Sequence, residues 1–195
     1  MSPDVEFPVA FSASLHEEVH RVIEAVVGLE GAVGWLAVPG REETRAFLSQ
    51  QLGLAAAGEG AVCLVRDEGV VQAVGFLNRF SAPVVRQNAE IRKVMVHPDA
   101  RGRGLGRVVV TALLDRAVGM GVEVVLLDAR GNNHGAHALY ESLGFERRGS
   151  IPDFIAVGDE RWDRVFFSKR VTTPPGVRLH GSDPVGPGAI PLRET

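Results

Sequence analysis

VMVHPDARGRGLG, residues 94–106, carries an apolar strand-like run into His97-Pro98 and then sets three glycines two apart among arginines. Proline has no amide to give a sheet and biases the residue before it toward extended geometry, so the strand ends there. Leu105, Val108, Val109, Ala112, Leu113 and Ala117 then recur at helical spacing as far as Gly119. A strand, a glycine-rich loop and a helix in that order turn backbone amides and the positive end of the helix dipole toward an anion. Gly102, Gly104 and Gly106 leave out side chains that would keep a pyrophosphate away, and Arg101, Arg103 and Arg107 add charge. A tight connection with solvated arginines would account for one glycine, not for three in alternation. A P-loop would need Gly-Lys-Ser/Thr, and a dinucleotide fingerprint would need glycine where Arg107 stands.

Outward from this loop the elements alternate. Ser14 and Glu17 form a capping box ahead of Leu15, Val19, Val22, Ile23 and Val26, which predicts a first helix. Residues 31–40, GAVGWLAVPG, are apolar but broken by glycine and proline, which predicts a loop that packs inward. A second helix is expected from about Arg41 to Ala57, then a hairpin turning at Asp67-Glu68-Gly69. The strand AEIRKVMVH leads into the glycine loop. VEVVLLDA is apolar without alternation, so it is expected to be central and covered on both faces. NHGAHALYESLGF predicts a short helix ended by Gly144, and strand-like runs near Phe154–Val157 and Arg164–Val171 follow. The expected organisation is one α/β domain over 1–171 and a Pro/Gly-rich tail over 172–195 without core periodicity.

Composition bounds the partners. The chain has 195 residues, 45% hydrophobic and 23% charged, with a formal charge of −3 and no block of lysine and arginine, so neither a nucleic acid nor an anionic membrane is indicated. No apolar run approaches the roughly 18 residues of a membrane span, and MSPDVEFPV lacks a basic region leading into an apolar core, so a cytoplasmic protein is expected. Cys63 is the only cysteine; its neighbours AVCLV place it in a buried strand rather than in a nucleophile's setting.

Two motifs together resemble one family. Arg101-Gly102-Arg103-Gly104-Leu105-Gly106 after VMVHP is similar to the acetyl-coenzyme A signature of the GNAT N-acetyltransferases, filled at Arg101, Gly104 and Gly106. Some thirty residues on, Asn133, Ala136, Leu139-Tyr140-Glu141 and Leu143-Gly144-Phe145 resemble the family's second signature. The resemblance spans about 14–171 and implies the GNAT fold: a mixed central sheet of six to seven strands flanked by helices, with two parallel strands splayed in the middle. NAEIRKVMVHPDARGRGLGR and the segment around IPDF are also similar to the tabtoxin-resistance subgroup, whose substrate is an amino-acid-like antibiotic. One extra residue between Asp128 and Tyr140 departs from that subgroup, so its substrate does not carry over.

The resemblance implies acetyl-CoA as cosubstrate and no metal. It places a β-bulge near Val94–Val96, with Val94, Met95 and Val96 along the pantetheine arm and the Val96 N–H at the thioester carbonyl. Arg101, Gly102, Arg103, Gly104, Leu105, Gly106 and Arg107 would hold the pyrophosphate, and Asn133 would touch the coenzyme or cap its helix. Tyr140 would donate a proton to the departing thiolate. Glu90 and Asp128 are the candidate general bases, Glu90 being preferred, since an alkyl ammonium with a pKa near 10 must lose a proton before it attacks. Glu90 could instead pair with Arg92, and Tyr140 could be a core residue. Trp35 would line the acceptor pocket or simply pack. His134 and His137 have helical metal-ligand spacing but no third ligand in sequence. The expected reaction is direct acetyl transfer to a primary amine of a small molecule, amino-acid-like or an antibiotic. A protein or peptide amine and a non-catalytic coenzyme-binding sensor are the rivals, and a homodimer is left open.

Overall fold

The computed structural model describes residues 3–29 and 33–179. Seven strands form one sheet in the order β1-β2-β3-β4-β5-β7-β6. They are β1 (Asp4–Glu6), β2 (Gly60–Asp67), β3 (Val70–Arg79), β4 (Asn88–Val96), β5 (Val124–Arg130), β6 (Glu146–Val157) and β7 (Glu160–Arg170). Among the described residues four α-helices, α1 (Ala13–Val27), α2 (Arg41–Ala56), α3 (Leu105–Gly119) and α4 (His134–Ser142), complete the elements, with short 3-10 turns at Pro83–Val85 and Pro98–Ala100. None of the described helices is long and apolar enough to cross a membrane.

The sheet divides two cores. Residues of β2 go alternately to opposite faces: Ala61, Cys63 and Val65 pack with α3, while Val62 and Leu64 pack with α1 and α2. The strands buried on both faces are therefore β2 and β3, whereas β5 buries only Val125, Leu127 and Ala129. The expectation for VEVVLLDA is corrected on this point. Its other face, Val124, Leu126, Asp128 and Arg130, is half-buried because α1 and α2 cover β2–β4 and stop short of β5.

Local chemistry sets the connections. Asp67 pairs with Val70, so Glu68 and Gly69 alone make the β2–β3 turn, with φ of 52° and 80° as a type I′ turn requires. The α1 cap is Ser12, not Ser14: its hydroxyl accepts from the Leu15 amide at 3.1 Å, and Ser14 lies inside the first turn. The helix starts at Ala13, two residues before the apolar run does, which moves the cap upstream. Between α1 and α2, His16 Nε2 and His20 Nδ1 each lie 2.9 Å from the Thr44 hydroxyl, which donates its own proton to the Arg41 carbonyl at 3.0 Å. With that proton committed, both buried imidazoles are donors, and the three side chains fix the two helices to each other. Leu143, Gly144 and Phe145 close α4 through Gly144 N–H to Glu141 O at 2.9 Å and Phe145 N–H to Tyr140 O at 3.0 Å, a Schellman stop. β6 begins at Glu146, well before the expected Phe154, and pairs along β7 with two register breaks. Of the expected tail, residues 180–195 lie outside the described residues, while Thr172 is held by its hydroxyl on the Val122 carbonyl at 2.8 Å.

Candidate active site

Among the described strands β4 and β5 are the one parallel pair, and they pair only over Asn88–Glu90 with Val124–Leu126. Both strands continue, to Val96 and Arg130, without pairing further, so a gap opens at their C-terminal ends. On its other side β4 changes register against β3: Val74 pairs with Met95 and Phe76 with Arg92, leaving Lys93 and Val94 opposite Gly75. That is a β-bulge, one residue ahead of the expected Val94–Val96, with Lys93 at φ 49°. Past it, the His97 N–H donates to the Gln72 carbonyl at 2.7 Å, on the β3 side. Amides alternate along a strand, so the Val96 N–H turns to the β5 side, into the gap. The Met95 side chain is buried in the α1–α2 core and can offer a ligand only its backbone.

At the C-terminal end of β4 the glycine loop delivers the start of α3. Gly104 is its N-cap at φ 76°, a conformation that costs any other residue more, and a Cβ there would meet no atom within 4 Å. The first amides of the α3 ladder, Arg107 and Val108, both bond to the Gly104 carbonyl, so those of Leu105 and Gly106 precede the ladder and point outward. At Gly106 a Cβ would lie 3.4 Å from Leu139 on α4, an ordinary contact. The arginines are not equivalent. Arg103 is paired with Asp67 at 2.9 Å and Arg107 donates to the Ser142 hydroxyl at 2.8 Å.

The gap opens into a cavity of about 430 Å³ whose wall includes Val94, Asp128, Asn133 and Tyr140, with Trp35 and Phe154 on the outer side. Tyr140 is 7% exposed, its hydroxyl has no hydrogen-bond partner among the described residues, and burial, then the Asp128 charge, pushes its pKa up to about 12. Asp128 is gripped by Arg164 at 2.6 Å. Asn133 caps α4, accepting from the Ala136 amide at 3.2 Å. Glu90 lies on β4 beside the cavity rather than in its wall, with Arg92 Nε 3.3 Å from its carboxylate. Burial raises the Glu90 pKa above the ordinary carboxylate value, assisted by the Asp128 charge and opposed by Arg92 and Arg164. Trp35 stands on edge to Phe47 at 5.3 Å and donates to Glu43 at 2.8 Å, so it both packs and lines the cavity.

Four cavity residues carried no local signal in the sequence. Lys93 sits in the bulge, its ammonium 3.5 Å from the Trp35 ring and donating to the Val33 carbonyl. Arg164 and Arg130 face each other across β5 and β7, and Phe154 comes from β6. Only strand register brings them together. Cys63 is fully buried and its thiol pKa is pushed up to about 12, which leaves no thiolate. His137 points to the Arg130 carbonyl at 3.1 Å, and among the described residues no three His, Cys, Asp or Glu side chains gather as metal ligands would.

The sequence model of the acetyltransferase (GNAT) family matches residues 32–145. The ribosomal protein bS18-alanine N-acetyltransferase of Escherichia coli K12 is 34% identical over 85 residues, 44% of this chain and 57% of that protein. The chain thus spans little more than half the length of this relative, and less than half of several other curated relatives it matches. A GNAT phosphinothricin acetyltransferase from Sinorhizobium meliloti, solved with acetyl-CoA, superposes with a TM-score of 0.75 at 21% identity over 91% of this chain and 96% of that one. The E. coli S18-alanine enzyme superposes with a TM-score of 0.68 at 19% identity over 91% and 99%. At these identities the superpositions speak to the fold.

Proposed function

We propose a reaction from one premise: this chain belongs to the acetyltransferase (GNAT) family. On our reading it is an acetyl-CoA-dependent N-acetyltransferase that acetylates a primary amine of a small molecule by direct attack in a ternary complex, in the cytoplasm and without a metal. The observation that carries this is the gap between β4 and β5, which brings an inward amide, a lone phenol and two carboxylates around one cavity. Acetyl-CoA, when bound, supplies the acetyl group as an activated thioester.

The residues fit that group. The amides of Leu105 and Gly106, with Gly104 clearing their approach, would hold the pyrophosphate beside Arg101 and Arg107. The Val96 N–H, aimed into the gap, would stabilise negative charge on the acyl oxygen, a donor of the kind worth about 3 kcal/mol. Glu90 would take the amine's proton, directly or through water; its raised pKa brings it nearer to that of the group it must deprotonate. Asp128, tied to Arg164, would position the ammonium. Tyr140 keeps its proton at any ordinary pH and would donate a hydrogen bond to the departing sulfur. Complete transfer from a phenol at about 12 to a thiolate near 8.5 runs uphill by roughly 5 kcal/mol, so hydrogen bonding rather than full protonation is its contribution.

A second reading, a peptide amine, is favoured by the bS18-alanine relative and by the exposed strand β6 at the cavity's rim. Thiol release from acetyl-CoA, measured over small amines and over peptides with free N-termini, tests both. Turnover with small amines alone supports the first reading, and turnover with peptides alone would replace it with the second.

A further inference from the structure

The cavity is lined by four cations and, among the described residues, one carboxylate: Arg92, Lys93, Arg130 and Arg164 against Asp128. Counting Glu90, which pairs with Arg92 just outside the wall, positive charge still prevails. An acceptor must bring an amine, itself cationic before it is deprotonated, into this surrounding. Arg164 and Arg92 have carboxylate partners at 2.6 and 3.3 Å. Lys93 has none within 4.0 Å among the described residues; its ammonium is met by the Trp35 ring and the Val33 carbonyl. A half-buried ammonium held by a ring and a neutral carbonyl is short of a counter-ion.

Lys93 also stands between two spaces. Trp35, Arg92 and Lys93 belong to the wall of the main cavity and to that of a second one of about 300 Å³, which runs under α2 beside Glu43, Gln50 and Gln51. The bulge is what puts it there. The extra residue turns Lys93 toward Trp35 and Phe47, on the face from which an acceptor would approach Asp128 and Tyr140.

We propose that Lys93, with Arg92, forms a carboxylate-binding subsite at the wall shared by the two cavities, and that the acceptor is a primary amine bearing a carboxylate. This rests on the reading of the chain as a small-amine acetyltransferase. A carboxylate at Lys93 supplies the missing counter-ion and offsets the charge of the incoming ammonium. A peptide's N-terminal residue has an amide where a free amino acid has this group, so the subsite selects against peptides. The state of Lys93 fits: burial, then Arg92, brings its pKa down to about 8, with Glu43 on α2 opposing. It is charged below that pH, and a bound carboxylate would restore the charge above it.

The test compares each common amino acid, β-alanine and 4-aminobutyrate with its own carboxamide as acceptors, by thiol release and product mass. The carboxylates should have kcat/KM about 10- to 100-fold above their amides, the difference lying in KM. In Lys93→Gln the two should become nearly equal through a rise in KM for the carboxylate, and Lys93→Arg should restore part of the preference. The dissociation constant of acetyl-CoA should be unchanged in both variants. Amides used as well as acids, with amines still acetylated, would overturn the subsite and leave the small-amine reading standing. Peptides used while no member of either series is acetylated would overturn both. A Lys93→Gln effect on acetyl-CoA binding alone would assign the cation to the coenzyme and overturn the subsite too.

Discussion

Gly75 lies opposite the bulge and beneath α3, and replacing it with alanine tests whether the sheet, the bulge and that helix are packed as described. A Cβ at this position would stand 2.5 Å from Val109 Cγ1, 3.1 Å from Leu113 Cδ1 and 3.6 Å from Val94 Cγ2. Carbon atoms prefer separations of roughly 3.5–4.0 Å, so Val109 must yield by about 1 Å. It cannot do so by rotation, because it is fully buried and a β-branched residue in a helix has essentially one rotamer. Either α3 lifts or β3 bends. Overpacking of this kind costs about 1–3 kcal/mol, from which alanine's gain over glycine, about 0.5–1 kcal/mol, is subtracted. A contact as short as 2.5 Å belongs to the upper part of that range, about 2–3 kcal/mol, so a net loss of about 1–2.5 kcal/mol should lower the urea midpoint by roughly 0.5–1.2 M at unchanged slope. Because α3 begins at the glycine loop, acetyl-CoA binding should weaken as well. The double variant Gly75→Ala/Val109→Ala removes the methyls that clash and should show a favourable coupling energy. A Gly75→Ala protein as stable as the parent, or additive behaviour in the double variant, would refute this packing.

Tyr140→Phe should lower kcat by about 10²-fold while leaving the acetyl-CoA dissociation constant within a factor of two, measured by steady-state kinetics and calorimetry; equal losses in both would make the phenol a binding residue. Glu90→Gln should lower kcat by about 10²–10⁴-fold and remove the acidic limb of the pH–rate profile, which in the parent should lie above the ordinary carboxylate pKa because the buried group must ionise to act. Asp128→Asn should raise the acceptor KM and keep the limb, and the reverse pattern would transfer the role of base to Asp128. Truncation before Pro174 should leave turnover and monomer stability intact, since it retains Thr172 and its bond to Val122; lost activity would mean that the tail contributes to the site.

How far the sequence foretold this arrangement depended on whether a feature is local. The glycine loop, the helix it starts and the Glu68-Gly69 turn are written in adjacent residues, and each stands where the spacing placed it. Tyr140 and Asp128 reach one cavity because the two signatures flank the same pair of strands. The resemblance implies a bulge near Val94–Val96 and the structure has it at Lys93 and Val94, since nothing in RKVMV marks which residue is extra; only pairing with β3 does. Lys93 therefore looked like an ordinary strand residue. Arg164 and Phe154 were invisible for a related reason, because their neighbours across β5 and β7 are set by register over a long sequence separation. β1 was missed: three residues, all exposed, carry no alternation. For VEVVLLDA, continuous apolarity suggests double coverage, but the less covered face carries Asp128 and Arg130 to the cavity wall.

Direct attack in a ternary complex is the central claim, and initial-rate kinetics with both substrates varied test it most directly. Cys63, the one thiol, is buried with its pKa near 12, and the residues around the cavity offer an acid and bases rather than an activated nucleophile. Double-reciprocal plots should intersect, and enzyme incubated with labelled acetyl-CoA in the absence of amine should retain no covalent label. Parallel lines together with a stable acetyl-enzyme would contradict the account.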